Sequence, residues 1–167
     1  MATLVGTQSA LTDYLSSLLE LEYDALAAYD AAIARLEAPA LKLRFQEFRA
    51  DHQRHVHDIG AFLASRGIRA PHGPDAKALL TGGKVVVGNW MGDRGVVSAM
   101  LSNENDTNAA YERGLERSDL TAELGFLLGR NLDDEQRHRL WMSEQLVILG
   151  TGPEEPASEE FLGARWG

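Results

Sequence analysis

Apolar side chains recur along most of this chain at alternating steps of three and four, the spacing of one face of a helix. Four segments carry the pattern: residues 8–36, 40–66, 95–117, and a fourth running from a cap at Ser118 or Asp119 to 149. Thr7 or Ser9 is available to cap the first, and Pro39 marks its end. Gly67 suits the left-handed position that closes the second, and Ala70-Pro71-His72-Gly73-Pro74 cannot continue it. Short links join the first helix to the second and the third to the fourth, which makes each pair antiparallel. Between 74 and 93 lies a longer connection with glycines at 82, 83, 88 and 92. A helix of about 28 residues is about 42 Å long, so a connection of this length suits an end-to-end crossover between parallel second and third helices. The predicted architecture is all-α, an antiparallel four-helix bundle over residues 1–150.

The seam of each predicted helix is interrupted by polar residues. Leu11, Leu15 and Leu18 lead to Glu22 before Leu26, Tyr29 and Leu36 resume the first stripe. On the second, Phe45 and Phe48 are followed by His52 and His55, then Ile59 and Phe62. Glu104 and Asn108 fall between Leu101 and Tyr111, while Asn131, Glu135 and His138 fall between Leu128 and Met142. An unpaired charge in an apolar core is very costly, whereas a bound cation turns the same groups into ligands. Glu22, His52, His55, Glu104, Glu135 and His138 are therefore the candidate metal ligands. An internal repeat strengthens the case: Glu22-Tyr23-Asp24 with Ala28-Tyr29 returns as Glu104-Asn105-Asp106 with Ala110-Tyr111. Asp51-His52-Gln53-Arg54-His55 likewise returns as Asp134-Glu135-Gln136-Arg137-His138. Two similar hairpins about a pseudo-twofold axis would bring the matched residues face to face.

Composition narrows the chemistry. A chain of 167 residues with 44% hydrophobic content fits one domain, and the absence of cysteine removes thiolate ligands and nucleophiles. Any metal must sit on oxygen and nitrogen. The formal charge of -9 argues against a nucleic-acid or anionic-membrane partner, both of which need a basic face. No leader-like N-terminus and no 18-residue apolar run is evident, so a cytoplasmic protein is expected. Residues 151–167, with Pro153, Pro156 and four Glu, read as a mobile acidic tail. The glycines near 82 and 92 match no phosphate-binding motif.

One Glu from each of the first and third helices, with Glu135-x-x-His138 and its near match on the second, resembles the ferritin-like di-iron carboxylate superfamily. Asp134-Glu135-Gln136-Arg137-His138 looks like the Asp-Glu-x-Arg-His form of its oxygen-activating members. Asn103-Glu104-Asn105-Asp106 through Tyr111-Glu112, with the crossover containing Trp90, is similar to a bacterial ferritin-like family, DUF2383. The resemblance implies Glu22 and Glu104 as carboxylate ligands, His55 and His138 as nitrogen ligands, and Glu135 as a bridge. It also implies that Asp51 and Asp134 accept a hydrogen bond from a ligand imidazole, across the hairpins or through water. His52 departs from the pattern, standing where a second bridging Glu is expected. One or two metals both remain open, with iron first and manganese, zinc, copper or nickel as alternatives.

The functional expectation is a metal-binding protein that reacts bound iron or manganese with oxygen or peroxide. The alternative is a non-catalytic bundle whose inner cluster binds zinc or copper, or is only hydrogen-bonded, in a structural or stress-related role. For His52 a hydrogen bond to Glu22 or Glu104 competes with ligation. Tyr29 and Tyr111 are expected to pack with their hydroxyls on carboxylates, and Arg54 and Arg137 to pair with acidic groups on the bundle surface. Trp90 and Trp141 read as packing residues, and His57 and His72 as solvated. Pairing of two copies through an apolar outer face is a further expectation.

Overall fold

The computed structural model describes residues 3–71 and 92–150. Four helices carry the chain: α1 (Leu11–Arg35), α2 (Pro39–Ser65), α3 (Gly92–Leu115) and α4 (Ala122–Gly150). α1 packs on α2 and on α3, and α4 packs on α3 and on α2, so the four form a closed ring and the described residues are an all-α four-helix bundle. Gly6, just before α1, lies against Arg113 near the end of α3, and the α1–α2 link lies against Asp93 at the start of α3. α1 and α3 are therefore antiparallel, and α2 and α3 run in the same direction. The crossover expected between them, with Trp90 and His72, lies outside the described residues, as does the acidic tail.

Several helix ends differ from the sequence expectation. Neither Thr7 nor Ser9 caps α1, which begins at Leu11 behind Ala10 with no side-chain cap. Thr7 Oγ1 instead donates to Leu4 O at 2.8 Å, tying it to the preceding turn. Pro39 opens α2 rather than merely following α1, as suits a residue whose missing N–H is not needed in a first turn. The backbone N–H groups of Glu37 and Ala38 are satisfied by Asp93, at 2.6 and 3.0 Å. α4 starts later than expected: the Asp119 carboxylate is held by Arg117, and Thr121 Oγ1 accepts the N–H of Leu124 at 3.2 Å. Gly67 does close α2. At φ 69° it lets its own N–H reach Ala64 O and that of Ile68 reach Leu63 O, both at 3.0 Å.

Two apolar clusters fill the bundle. Tyr14, Leu15, Leu18, Ile59, Leu63, Leu124 and Leu128 lead one, while Tyr29, Leu36, Phe45, Phe48, Val97, Met100 and Met142 lead the other. Full burial of one such side chain stabilises by about 1.5–3 kcal/mol. Along α1 the polar Glu22 falls between Leu19 of one cluster and Ala28 of the other, and His52 on α2 falls between Phe48 and Val56. A polar layer thus lies between two apolar ones.

Candidate metal centre

That layer contains all six residues singled out on the seams. Glu22, His52, His55, Glu135 and His138 have no exposed surface and Glu104 has 1%. Each helix contributes because a break in its stripe sits at the same depth: one Glu from α1, one from α3, and a pair three residues apart from each of α2 and α4.

Their ligand atoms form two overlapping groups, Glu22–His52–His55–Glu135 and His52–Glu104–Glu135–His138, each with its atoms within 4.8 Å of one another. His52 and Glu135 belong to both. His52 Nδ1 lies 2.7 Å from Glu22 Oε2 and 3.4 Å from Glu135 Oε1, while its Nε2 lies 3.6 Å from Glu104 Oε1. His55 Nδ1 stands 3.2 Å from Glu135 Oε1 and 3.4 Å from Glu22 Oε1, and His138 Nδ1 stands 3.5 Å from Glu104 Oε2. These separations are mostly too long for hydrogen bonds. Both oxygens of Glu135, Glu104 Oε2, His52 Nε2, His55 Nδ1 and His138 Nδ1 are buried without a hydrogen-bond partner. Buried polar atoms are nearly always satisfied, so six orphans converging on one interior point mark a site suited to a cation.

The surroundings orient the six. Tyr29 on α1 donates to Glu104 Oε1, and Tyr111 on α3 donates to Glu22 Oε1, both at 2.5 Å, so each hairpin holds the other's carboxylate. Asn108 Nδ2 donates to the backbone carbonyls of Glu104 and Glu135 at 2.8 and 3.1 Å, tying α3 to α4 beside the site. Asn131 Nδ2 reaches Tyr111 Oη at 3.3 Å. Both asparagines stand on the apolar seams in the sequence; their polarity at core positions was the available signal, although no ligand motif includes them.

The histidines are anchored across the hairpins. His55 Nε2 faces Asp134 Oδ2 at 3.3 Å, and His138 Nε2 faces Asp51 Oδ2 at 3.0 Å. The sequence left direct and water-mediated contact open, and the direct cross-hairpin contact is the one formed. Arg54 bonds Asp51 at 2.7 Å and also Asp134, while Arg137 bonds Asp134 at 2.8 Å and Asp51 at 2.5 Å. The two aspartates and two arginines close a ring over the α2–α4 face. His138 also stacks on Phe48, with ring centroids 4.1 Å apart. Trp141 packs on Phe45 and Phe48 as expected, and His57 is exposed beside Asp58.

Without a cation, burial and mutual charge set the protonation of the cluster. Burial raises the Glu22 and Glu104 pKa values, but the histidines outweigh it and hold both below the usual carboxylate range. Burial likewise depresses His55, yet Glu22, Asp134 and Glu135 carry it up to about 10. His52 and His138 are raised in the same sense, His52 chiefly by Glu135 and Glu22 against its burial. Glu135 alone among the three carboxylates is pushed up, by burial and by its acidic neighbours Glu104 and Glu22, against the attraction of His52. The upward shift of the imidazoles thus reflects the carboxylates packed around them.

Comparison with known proteins agrees with the architecture. The family described as a domain of unknown function, DUF2383, matches residues 10–117, which hold Glu22, His52, His55 and Glu104. A conserved hypothetical protein from Mycobacterium tuberculosis, known from a crystal structure, superposes with a TM-score of 0.69 at 17% identity, over 83% of this chain and 99% of that one. A likeness at that identity is one of fold. No curated protein matches the chain.

Proposed function

The chain belongs to the DUF2383 family, and from that premise we propose that it is a ferritin-like metal-binding protein holding a pair of divalent cations between its helices. The observation that carries this reading is the pair of overlapping four-residue groups, each offering two imidazole nitrogens and two carboxylate oxygens from buried side chains. Glu22 and His55 would hold one cation and Glu104 and His138 the other, with His52 and Glu135 serving both. Iron comes first, since carboxylate and imidazole together suit it; manganese, zinc and copper are the alternatives. With iron or manganese bound, the centre would supply electrons for reaction with oxygen or peroxide.

The residues around the site do the positioning. Asp51 and Asp134 leave Nδ1 of His138 and His55 as the nitrogens that face inward, because each holds the opposite ring nitrogen. Tyr29 and Tyr111 occupy one oxygen of Glu104 and of Glu22, and Glu104 Oε2 has no other partner. The two apolar clusters exclude water above and below the polar layer, which strengthens every electrostatic interaction within it.

Untagged protein purified without chelator should hold near two equivalents of a first-row divalent metal by elemental analysis, and Glu135→Ala should lower that number. Fe(II) with oxygen should then give a ferric absorption band that Glu135→Ala abolishes. A metal-free, metal-indifferent protein would refute the reading. The second reading, a redox-silent zinc or copper bundle, draws on the nitrogen supplied by His52; it expects stoichiometric metal, metal-dependent thermal stability and no turnover with oxygen.

A further inference from the structure

The three inner histidines are not equivalent. His55 and His138 each turn one ring nitrogen outward to a carboxylate, Asp134 and Asp51, and the other inward, the usual arrangement of an imidazole that gives one nitrogen to a metal. His52 has no such outer partner. Its Nδ1 meets Glu22 and Glu135 of one group, and its Nε2 points toward Glu104 of the other and lacks any hydrogen bond. Both nitrogens face candidate ligands, on opposite sides of the ring.

Under the internal repeat His52 is the counterpart of Glu135, whose two oxygens are also buried and unpartnered. A carboxylate in that place has two donor atoms and can serve two cations. An imidazole has two as well, provided that neither nitrogen keeps a proton. From these contacts we infer that His52 is a bridging ligand, binding one cation through Nδ1 and the other through Nε2. The inference rests on the two-cation reading above.

Charge supports the arrangement. Glu22, Glu104 and Glu135 bring three negative charges, so two divalent cations with neutral imidazoles leave one positive charge in excess within a layer that has almost no exposed surface. When the neutral His52 ring gives up its one N–H proton to solvent, a metal–nitrogen bond replaces that nitrogen–proton bond, the second metal takes the lone pair of the other nitrogen, and the centre becomes neutral. Nothing is oxidised or reduced.

Cu(II) is a suitable probe because isolated and exchange-coupled ions have different paramagnetic resonance spectra. The full-length, metal-free chain is titrated with Cu(II). The first equivalent should give an isolated-ion signal, and the second should abolish it in favour of a coupled spectrum; in His52→Ala, where Glu135 alone remains to serve both ions, the coupling should weaken markedly. Coupling of undiminished strength in His52→Ala would assign the bridge to Glu135 alone and overturn the inference. Two ions that remain uncoupled in the unaltered protein would do the same while leaving the two-cation site standing. A single equivalent would remove the bridge and the pair but keep a metal site, and no binding of Cu(II), Fe(II) or Zn(II) would remove the proposed function itself. Should the alanine variant fail to fold, nitrogen-15 spectra of the unaltered protein with two equivalents of Zn(II) decide: the His52 ring should carry no N–H proton, and a retained proton would refute the bridge.

Discussion

At the residue scale, the six inner groups are held by neighbours that stand outside the two candidate ligand groups. Asp51 is held below the usual carboxylate range, burial being outweighed by His138 and Arg54, so it presents a full negative charge to the imidazole it orients. Asp51→Asn keeps the shape but removes that charge, and loss of such a partner typically costs about 10–100-fold in metal affinity. Competition with a chromophoric chelator should show a weakening of that order, with helix content unchanged by circular dichroism. The protonation of the metal-free cluster gives a second expectation. Against its burial, Glu22, Asp134 and Glu135 push the His55 imidazole up from its ordinary 6.5 to about 10 in the fold. Its contribution to stability is therefore full below about 6.5 and is lost as pH rises through about 10. Chelated protein should melt at progressively lower temperature over that window, whereas a flat profile would show that the imidazoles are neutral in the fold.

At the element scale, helix packing depends on close approaches as much as on apolar stripes. Tyr14 of α1 lies across Gly114 of α3 and donates to Ala110 O at 3.3 Å; a Cβ at Gly114 would stand 1.8 Å from the Tyr14 hydroxyl. Gly114→Ala must push the ring aside or part the helices, and such overpacking costs about 1–3 kcal/mol. Urea denaturation should show a loss in that range, and a neutral result would mean that the Tyr14 ring repacks freely. The helix boundaries show how tertiary contacts shape local signals. Asp119 is as good a cap as Thr121 by residue type, yet Arg117 holds it, and its guanidinium also reaches the carbonyls of Gln8 and Ser9 before α1. Arg117 and Asp119 are close in sequence, but the Gln8 and Ser9 carbonyls that fix the guanidinium lie at the other end of the chain, which is why capping preference alone misplaced the start of α4.

At the scale of the whole molecule, a buried layer of three carboxylates and three imidazoles divides the apolar interior in two. Under the proposed function the pair of cations links all four helices through that layer, so binding to the folded state alone should add stability by mass action, about 2.7 kcal/mol per site at a hundredfold excess over Kd. The melting temperature should rise on adding Fe(II) or Zn(II) to chelated protein and fall again with chelator, while Glu135→Ala should blunt the shift. Among the described residues no helix is long and apolar enough to cross a membrane.

Much of this was legible in the order of residues. Steps of three and four define amphipathic helices whatever their neighbours, and a Glu or His on the stripe must point inward wherever the stripe is buried. The helix count, the six inner groups, the tyrosine hydroxyls on carboxylates and the Asp–Arg pairing all followed from spacing and repeat. Three-dimensional packing decided the rest, because periodicity carries no record of which distant atom a side chain meets. Only the meeting of α2 with α4 shows that Asp51 holds His138 and Asp134 holds His55. Only the convergence of all four helices shows that both nitrogens of the His52 ring look onto carboxylates.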